Sequence, residues 1–559
     1  MDIPAQRAGS PDGRFRPATP PFPTDPMTAT RHLCAGAYLD ETFRDAALRE
    51  VYHQPRRLVA PSYGFALVPV LAHCLKARTM TILRDAAIVI TFAVAACISL
   101  VAVVSAVGTL ISVLVLVATY RLIRDTVRQM RAPGAVPLGR IVVRAVALLA
   151  GWLVASTFGP LLALGVIAGQ LDAAGLGTEF AEAQTELRIA AVGGTVLTVL
   201  GFLYPVLYFL WRQYELSRLT PGTPIAAVAM TPRLEDIARQ QQGNTVVYSG
   251  FQPFIGSGAR VEQWSFALRL VRAESLTDSV IAVPEKDLEF VRIPFDAQDL
   301  IEHIHGHLEN LRPEREAEEH IPGLTVDGRV FLAGTEVPYL APYTPPDVVA
   351  GVIRHPTTPA RHYLTCQVVS WGGEIVTTVH VHVAVQGRSL YLELVTNALP
   401  PCDERYRIVS TVEGTGPIAW LRALRDGLAG APSIVLTAPW RLLRAGADAL
   451  LRTGAPVTSG GGVVRGFDHG ASMSVRELGA EDNVRTYAQG QDVDKYHHLI
   501  ERRVLAAVLD FLDERGVDTT EYRARAGNVL NIDTINGNPN FGQAEYHGPV
   551  IGQQQQAKA

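Results

Sequence analysis

Three long apolar tracts interrupt an otherwise mixed pattern of hydrophobic and polar positions. Ala86–Tyr120 runs for 35 residues without a charge, and Ala145–Gln170 and Ile189–Trp211 follow it. Crossing a bilayer core takes about 20 apolar residues at about 1.5 Å rise each. The second and third tracts each suit one span. As a single helix the first would be about 52 Å long against a core of about 30 Å, more than tilting absorbs. Basic residues settle how it is divided. Lys76, Arg78 and Arg84 precede it, and Arg121, Arg124, Arg128, Arg131, Arg140 and Arg144 follow, against Asp125. Basic flanks stay on the cytoplasmic side. The pattern therefore predicts two short arms, 86–103 and 104–120, turning near Ser105–Gly108, as two crossings or as a re-entrant hairpin. Asp172, Glu179, Glu182 and Glu186, before Arg188, suit an outer loop, and Arg212 and Arg218 an inner flank. The expectation is a helical membrane region over 86–211 with four passes (86–103, 104–120, 145–170, 189–211), or two plus the hairpin. Both termini are then cytoplasmic in a bacterial inner membrane. No ionisable residue lies deep in a tract, which argues against an ion-coupled pump.

Around these tracts the fold class reads as α+β. Residues 1–30 are Pro-rich and read as disordered. Residues 31–85 form a cytoplasmic helical lead: Leu33, Ala37, Phe43, Leu48 and Val51 share a helical face, Gln54-Pro55 breaks it, and a short helix over Gly64–Ala77 is interrupted at Pro69. Residues 212–525 read as a mixed cytoplasmic domain. Thr245–Tyr248 and Trp264–Val271 suit strands joined by a glycine-bearing hairpin loop. HYLTCQVVSW, EIVTTVHVHVAVQG and RSLYLELVTNAL give an antiparallel meander with turns at Trp371-Gly372-Gly373 and Gln386-Gly387-Arg388. FDAQDLIEHIHGHLENL is a helix with Asp296 as its N-cap. Trp420–Leu428 and Trp440–Leu451 read as two helices. The tryptophan and arginine mixture of the second suits an anionic membrane surface or core packing with snorkelling arginines. In the last helix Leu499/Ile500, Val504, Val508 and Phe511/Leu512 recur on one face, with Gly516 as the stop. Residues 526–559 read as short strands and a disordered tail.

Candidate chemistry changes this picture little. Gly250, Gly256, Gly258 and Arg260 form the most site-like loop, since glycines let a backbone approach a phosphate closely. It lacks G-K-[ST] and the G-x-G-x-x-G spacing, and its Phe251, Pro253 and Phe254 favour a packed turn. His303 and His307, four apart on a helix, could share a metal, but no third ligand completes a recognisable spacing. His380 and His382 alternate onto one strand face and read as solvent-facing. Five cysteines, with no C-x-x-C, give neither a disulfide framework nor a zinc knuckle and read as reduced thiols. No cofactor is implied. A net charge of −4 gives no electrostatic case for nucleic acid. A mean hydropathy of +0.16 reflects the apolar tracts. Only four basic residues, Lys76, Lys286, Lys495 and Lys558, are lysine, a bias of GC-rich bacterial genomes.

RHLCAGAYLD, LVPVLAHCLKAR, NTVVYSGFQPFIGSG and ERRVLAAVLDFLDERGVDTTEYR together resemble a family of uncharacterised multi-pass membrane proteins of actinomycete bacteria. The resemblance runs from about residue 31 to the tail; it implies origin and topology, and no catalytic residue. The first expectation of function is a membrane-anchored cytoplasmic interaction or sensing module. Its partners are the lipid bilayer and a protein or a second copy of the chain. A component of a channel, transport or envelope-stress complex is the alternative, and it needs an oligomer to line a pore. A membrane-bound enzyme of unknown reaction comes third, since no G-x-S-x-G, Walker A or kinase set is present.

Overall fold

The structure, a computed structural model, describes residues 25–130, 181–226, 228–273, 288–312, 320–338, 340–453, 463–464 and 466–533. The N-terminal stretch up to residue 24, the apolar tract 145–170 and the tail beyond Asp533 lie outside these residues.

Helices α1 (Thr28–Leu39) and α2 (Glu41–Ala47) begin the chain, followed by a π-helical turn, Leu48–Tyr52. Asp40 starts α2 by accepting the Thr42 and Phe43 amides. Helix α3 (Leu67–Ile98) is 32 residues long. The separate helix over 64–77 is thus corrected: Pro69 falls in the first turn, where the missing N–H costs nothing. Helix α4 (Leu100–Met130) follows after one residue, and α5 (Ala181–Ser217) carries Pro205 inside it. These three are each long and apolar enough to cross a membrane.

The 35-residue apolar run is divided, but at Ser99 rather than at 105–108. Ser99 has extended backbone angles (φ −153°, ψ 107°). Helix α3 runs antiparallel to α5, with Lys76 against Glu215 and Thr91 bonded to Tyr204. Helix α4 runs parallel to it: Gly193 lies against Ala102, and Gly201 against Leu110. The chain therefore reverses between α3 and α4.

Among the described residues the other α-helices of more than one turn are α6 (Pro232–Gln241), α7 (Ala297–Glu309), α8 (Pro346–Arg354), α9 (Pro417–Thr453), α10 (Tyr487–Glu514) and α11 (Thr520–Asp533). Asp296 caps α7 and Thr486 caps α10, both through capping boxes. Helix α9 is one 37-residue element in place of the two expected, with Pro432 and Pro439 accommodated inside it. Helix α11 replaces the start of the expected strand-bearing tail.

Six strands, β1 (Thr245–Tyr248), β2 (Ala259–Arg269), β3 (Leu324–Ala333), β4 (Arg361–Ser370), β5 (Ile375–Gln386) and β6 (Ser389–Leu399), form one sheet. Their spatial order is β1-β3-β4-β5-β6-β2. All neighbours are antiparallel except β1 and β3, so the sheet is mixed rather than antiparallel throughout. β1 and β2 occupy opposite edges. The glycine-bearing segment between them is therefore no hairpin loop but a crossing over one face of the sheet. One face packs on α7, α8, α10 and α11 through Leu300, Ile304, Val504, Val508 and Phe511. The other lies beneath the crossing segment and the loop carrying Ala60 and Tyr63. Residues 375–384 of β5 are accordingly buried without alternation.

Candidate functional site

The outer surfaces of the three apolar helices form one feature. Ile90, Val94 and Ile98 of α3, Leu100, Val104 and Leu116 of α4, and Val192, Val199 and Leu207 of α5 are all exposed. Helix α9 packs beside α5, and Gly427 brings it close: a Cβ there would sit 2.9 Å from Val206 Cα. On its outer side α9 exposes Ile418, Leu421, Leu428, Trp440, Leu443 and Leu450. Near this region Asp85 bridges α3 and α9, accepting from Arg84 Nε at 2.9 Å and from Arg441 at 3.0 Å. The Arg84 guanidinium also stacks 4.3 Å from the Tyr208 ring.

A second feature joins three distant segments. His32 Nδ1 lies 2.8 Å from Glu374 Oε1, and His32 Nε2 lies 2.8 Å from Ser410 Oγ. His32 is held on α1, packed against the 404–410 turn, and Glu374 follows the Trp371–Gly373 turn. Glu374 Oε2 accepts the Cys402 amide at 3.2 Å. The buried Arg476 lies alongside, donating to the carbonyls of Gly373, Glu374 and Pro400. Burial pushes the Glu374 carboxyl up, but its bond to His32, the charge of Arg476 and the Cys402 amide outweigh this and hold it below the ordinary range. His32 and Glu374 are buried, and Ser410 is exposed. A solvent-facing hydroxyl on an imidazole oriented by a buried carboxylate is the arrangement that activates serine for acyl transfer. Sequence reasoning missed this set because 342 positions separate its histidine from its carboxylate.

The glycine loop is placed differently. Gly256 and Gly258 have left-handed backbone (φ +90° and +88°). Their amides donate to Glu477 Oε1 at 2.8 and 3.0 Å, so a carboxylate of the chain itself occupies the position a phosphate would take. Burial raises the Glu477 pKa, and these two amides oppose the rise. Gly250 stands in open space, and Arg260 is turned to Gln263 at 2.6 Å. Phe254 of the same segment stacks on His380 at 4.2 Å. His380 is buried, between Ser257 Oγ and Thr365 Oγ1 at 3.2 Å each, and His382 is buried too. The solvent-facing reading of this pair is thus corrected, because the crossing segment covers their face.

His303 and His307 stack with ring centroids 4.5 Å apart, and His303 lies against Phe511. Burial, then the neighbouring His303 and Arg503, lower the His307 pKa. Among the described residues, groups of three or more donors able to hold a metal lie elsewhere: His32, Glu374 and Cys402, and His497, His498 and Glu501. All five cysteines are free thiols, four of them buried.

The family model for the AbeC-like domain matches residues 263–545, just over half of the chain. The chain belongs to the AbeC-like domain family. The AbeC-like region takes in β3 to β6, the larger part of β2, and α7 to α11, hence Glu374, Ser410 and α9. His32 and the three apolar helices stand outside it. No curated protein and no solved structure matches the chain.

Proposed function

We propose that the chain is a membrane-anchored interaction or sensing module, its AbeC-like domain held at the cytoplasmic face of a bacterial cell membrane. The observation that carries this reading is the band of exposed apolar side chains that continues from α3, α4 and α5 onto the outer side of α9. An apolar surface of that extent suits lipid rather than water. A cleft of about 290 Å³ between α2, α3 and α9, lined by Arg44, Arg49, Arg78, Arg441 and Arg444 among acidic residues, suits the headgroup layer. The basic flanks of the first tract favour the cytoplasmic side, and the resemblance to multi-pass membrane proteins of actinomycete bacteria agrees. A protein partner, or a second copy of the chain, then meets the soluble domain.

The test is a cysteine scan in cells carrying the full chain. Tyr487, at the start of α10, is 83% exposed. Tyr487→Cys, with Cys97 replaced by alanine, is expected to react with a membrane-impermeant maleimide only after permeabilisation. Labelling in intact cells sinks the reading.

A second reading, a membrane-bound enzyme acting by a nucleophilic serine, is favoured by the Ser410–His32–Glu374 geometry. Ser410 Oγ attacks an ester carbonyl carbon while His32 Nε2 takes its proton. His32 returns that proton to the departing alkoxide, and water then releases the acyl group from Ser410. A fluorophosphonate probe is expected to label Ser410 of the full-length protein, with labelling lost in Ser410→Ala and at least about 100-fold slower in His32→Gln. No label on Ser410 of the folded wild-type protein rejects this reading.

A further inference from the structure

The α10–β2 contact contains a buried set of polar atoms that the readings above leave unused. Glu501 is fully buried, its Oε1 accepts from the Trp264 indole at 2.6 Å, and its Oε2 has no hydrogen-bond partner. That orphaned oxygen lies 3.9 Å from both His497 Nε2 and His498 Nδ1. His497 is 3% exposed, and Glu262 Oε2 of β2 stands 2.8 Å from its Nε2. The pair is nevertheless not aligned as a hydrogen bond, so His497 Nε2 too is buried without a hydrogen-bond partner. On the other side of the ring, Nδ1 is bonded to Thr396 Oγ1 at 2.7 Å, which fixes the ring and aims Nε2 at the two carboxylates. Glu262 reaches this place because β2 slips register between Arg260 and Glu262, a bulge that re-aims its side chain.

We propose that His497, His498 and Glu501 hold a divalent transition-metal cation, with zinc the best match to two imidazoles and a carboxylate. Three protein donors leave one tetrahedral position for water. Metal bonds of about 2.0–2.2 Å bring tetrahedral donors to about 3.3–3.6 Å apart, so the two 3.9 Å separations contract by a few tenths of an ångström. His498 is half-exposed, and through it the ion enters from solvent. The cation supplies the positive charge that the buried Glu501, with Glu262 of β2 nearby, calls for. The other metal-capable group is closed by its own bonds: both His32 nitrogens and both Glu374 oxygens already have partners.

The experiment uses the full chain in detergent, stripped with a chelator and titrated with zinc chloride against a fluorescent zinc indicator. The expected result is one saturable zinc per chain, binding at least about tenfold weaker in His498→Ala and in Glu501→Gln. Zinc is also expected to raise the melting temperature of the wild type and not of Glu501→Gln. His498→Ala alters a half-exposed side chain and keeps the fold, so its loss of affinity is not a loss of structure. Absence of saturable zinc uptake by folded wild-type protein overturns the proposal, as do affinities equal to wild type in both variants.

Discussion

Replacing Arg476 with alanine is expected to remove about 3–5 kcal/mol of stability, the range seen when a buried charged group loses its partners. Arg476 has no exposed surface, and a single nitrogen of it donates to Gly373, Glu374 and Pro400, at 3.3, 2.9 and 2.8 Å. Those carbonyls belong to the turn between β4 and β5 and to the residue just after β6, so one side chain ties that turn to the neighbouring end of β6. Alanine leaves three acceptors unpaired in a space water reaches poorly, and it also leaves a cavity. It removes the cation facing Glu374 as well, so the Glu374 carboxyl rises toward its ordinary value and its bond to His32 weakens. Urea titration followed by tryptophan fluorescence measures the loss. Arg476→Met restores the volume without the donors. If it is as stable as wild type, the arginine acts by filling space and the hydrogen-bonding account fails.

Acid is expected to act on the sheet with similar force. Burial lowers the pKa of His380 to about 3 and that of His362 to about 4, with Arg329 and His382 adding to it respectively. In the unfolded chain both rings take a proton near pH 6.5. Between that value and the folded ones the unfolded state holds more protons, so stability is complete above about pH 6.5 and falls as the pH drops toward 4. At pH 5 the two rings together remove about 4 kcal/mol. The check is hydrogen-exchange protection of the β4 and β5 amides at pH 7 and pH 5, corrected for intrinsic rates. His380→Phe, which keeps an aromatic ring against Phe254, is expected to halve the loss. A loss that this variant leaves intact assigns the acid sensitivity to other groups.

What could be read in the sequence was local. The helical character of the first and third apolar tracts, the meander over β4 to β6, the Asp296 cap and the Gly516 stop depend on residues within a few positions of one another, and each is found as the pattern put it. Errors arose where a distant segment intervened. His380 and His382 alternate as if one face of β5 were wet, and only the crossing segment carrying Phe254 makes that face dry. The glycines at 256 and 258 looked open to a ligand because Glu477, more than 200 positions later, could not be seen beside them. The Ser410–His32–Glu374 set shares that property: it has no spacing, so it has no motif, whereas His497, His498 and Glu501 stand close together on α10. Ser99 was missed for another reason. Its neighbourhood is uniformly apolar, and a reversal in such a run is set by how the helices pack and not by any turn residue.

The strand order has a consequence for how this chain is made. β1 and β2 leave the ribosome before any strand they will pair with, and β2 waits until residue 399 is synthesised before its neighbour is complete. For that interval β2, a ribbon of unpaired backbone rich in aromatic and aliphatic side chains, stands without its partner, the state in which chains associate wrongly. Because the β2 margin closes last, the stretch of synthesis between β2 and β6 is the one in which a chaperone has most to shield.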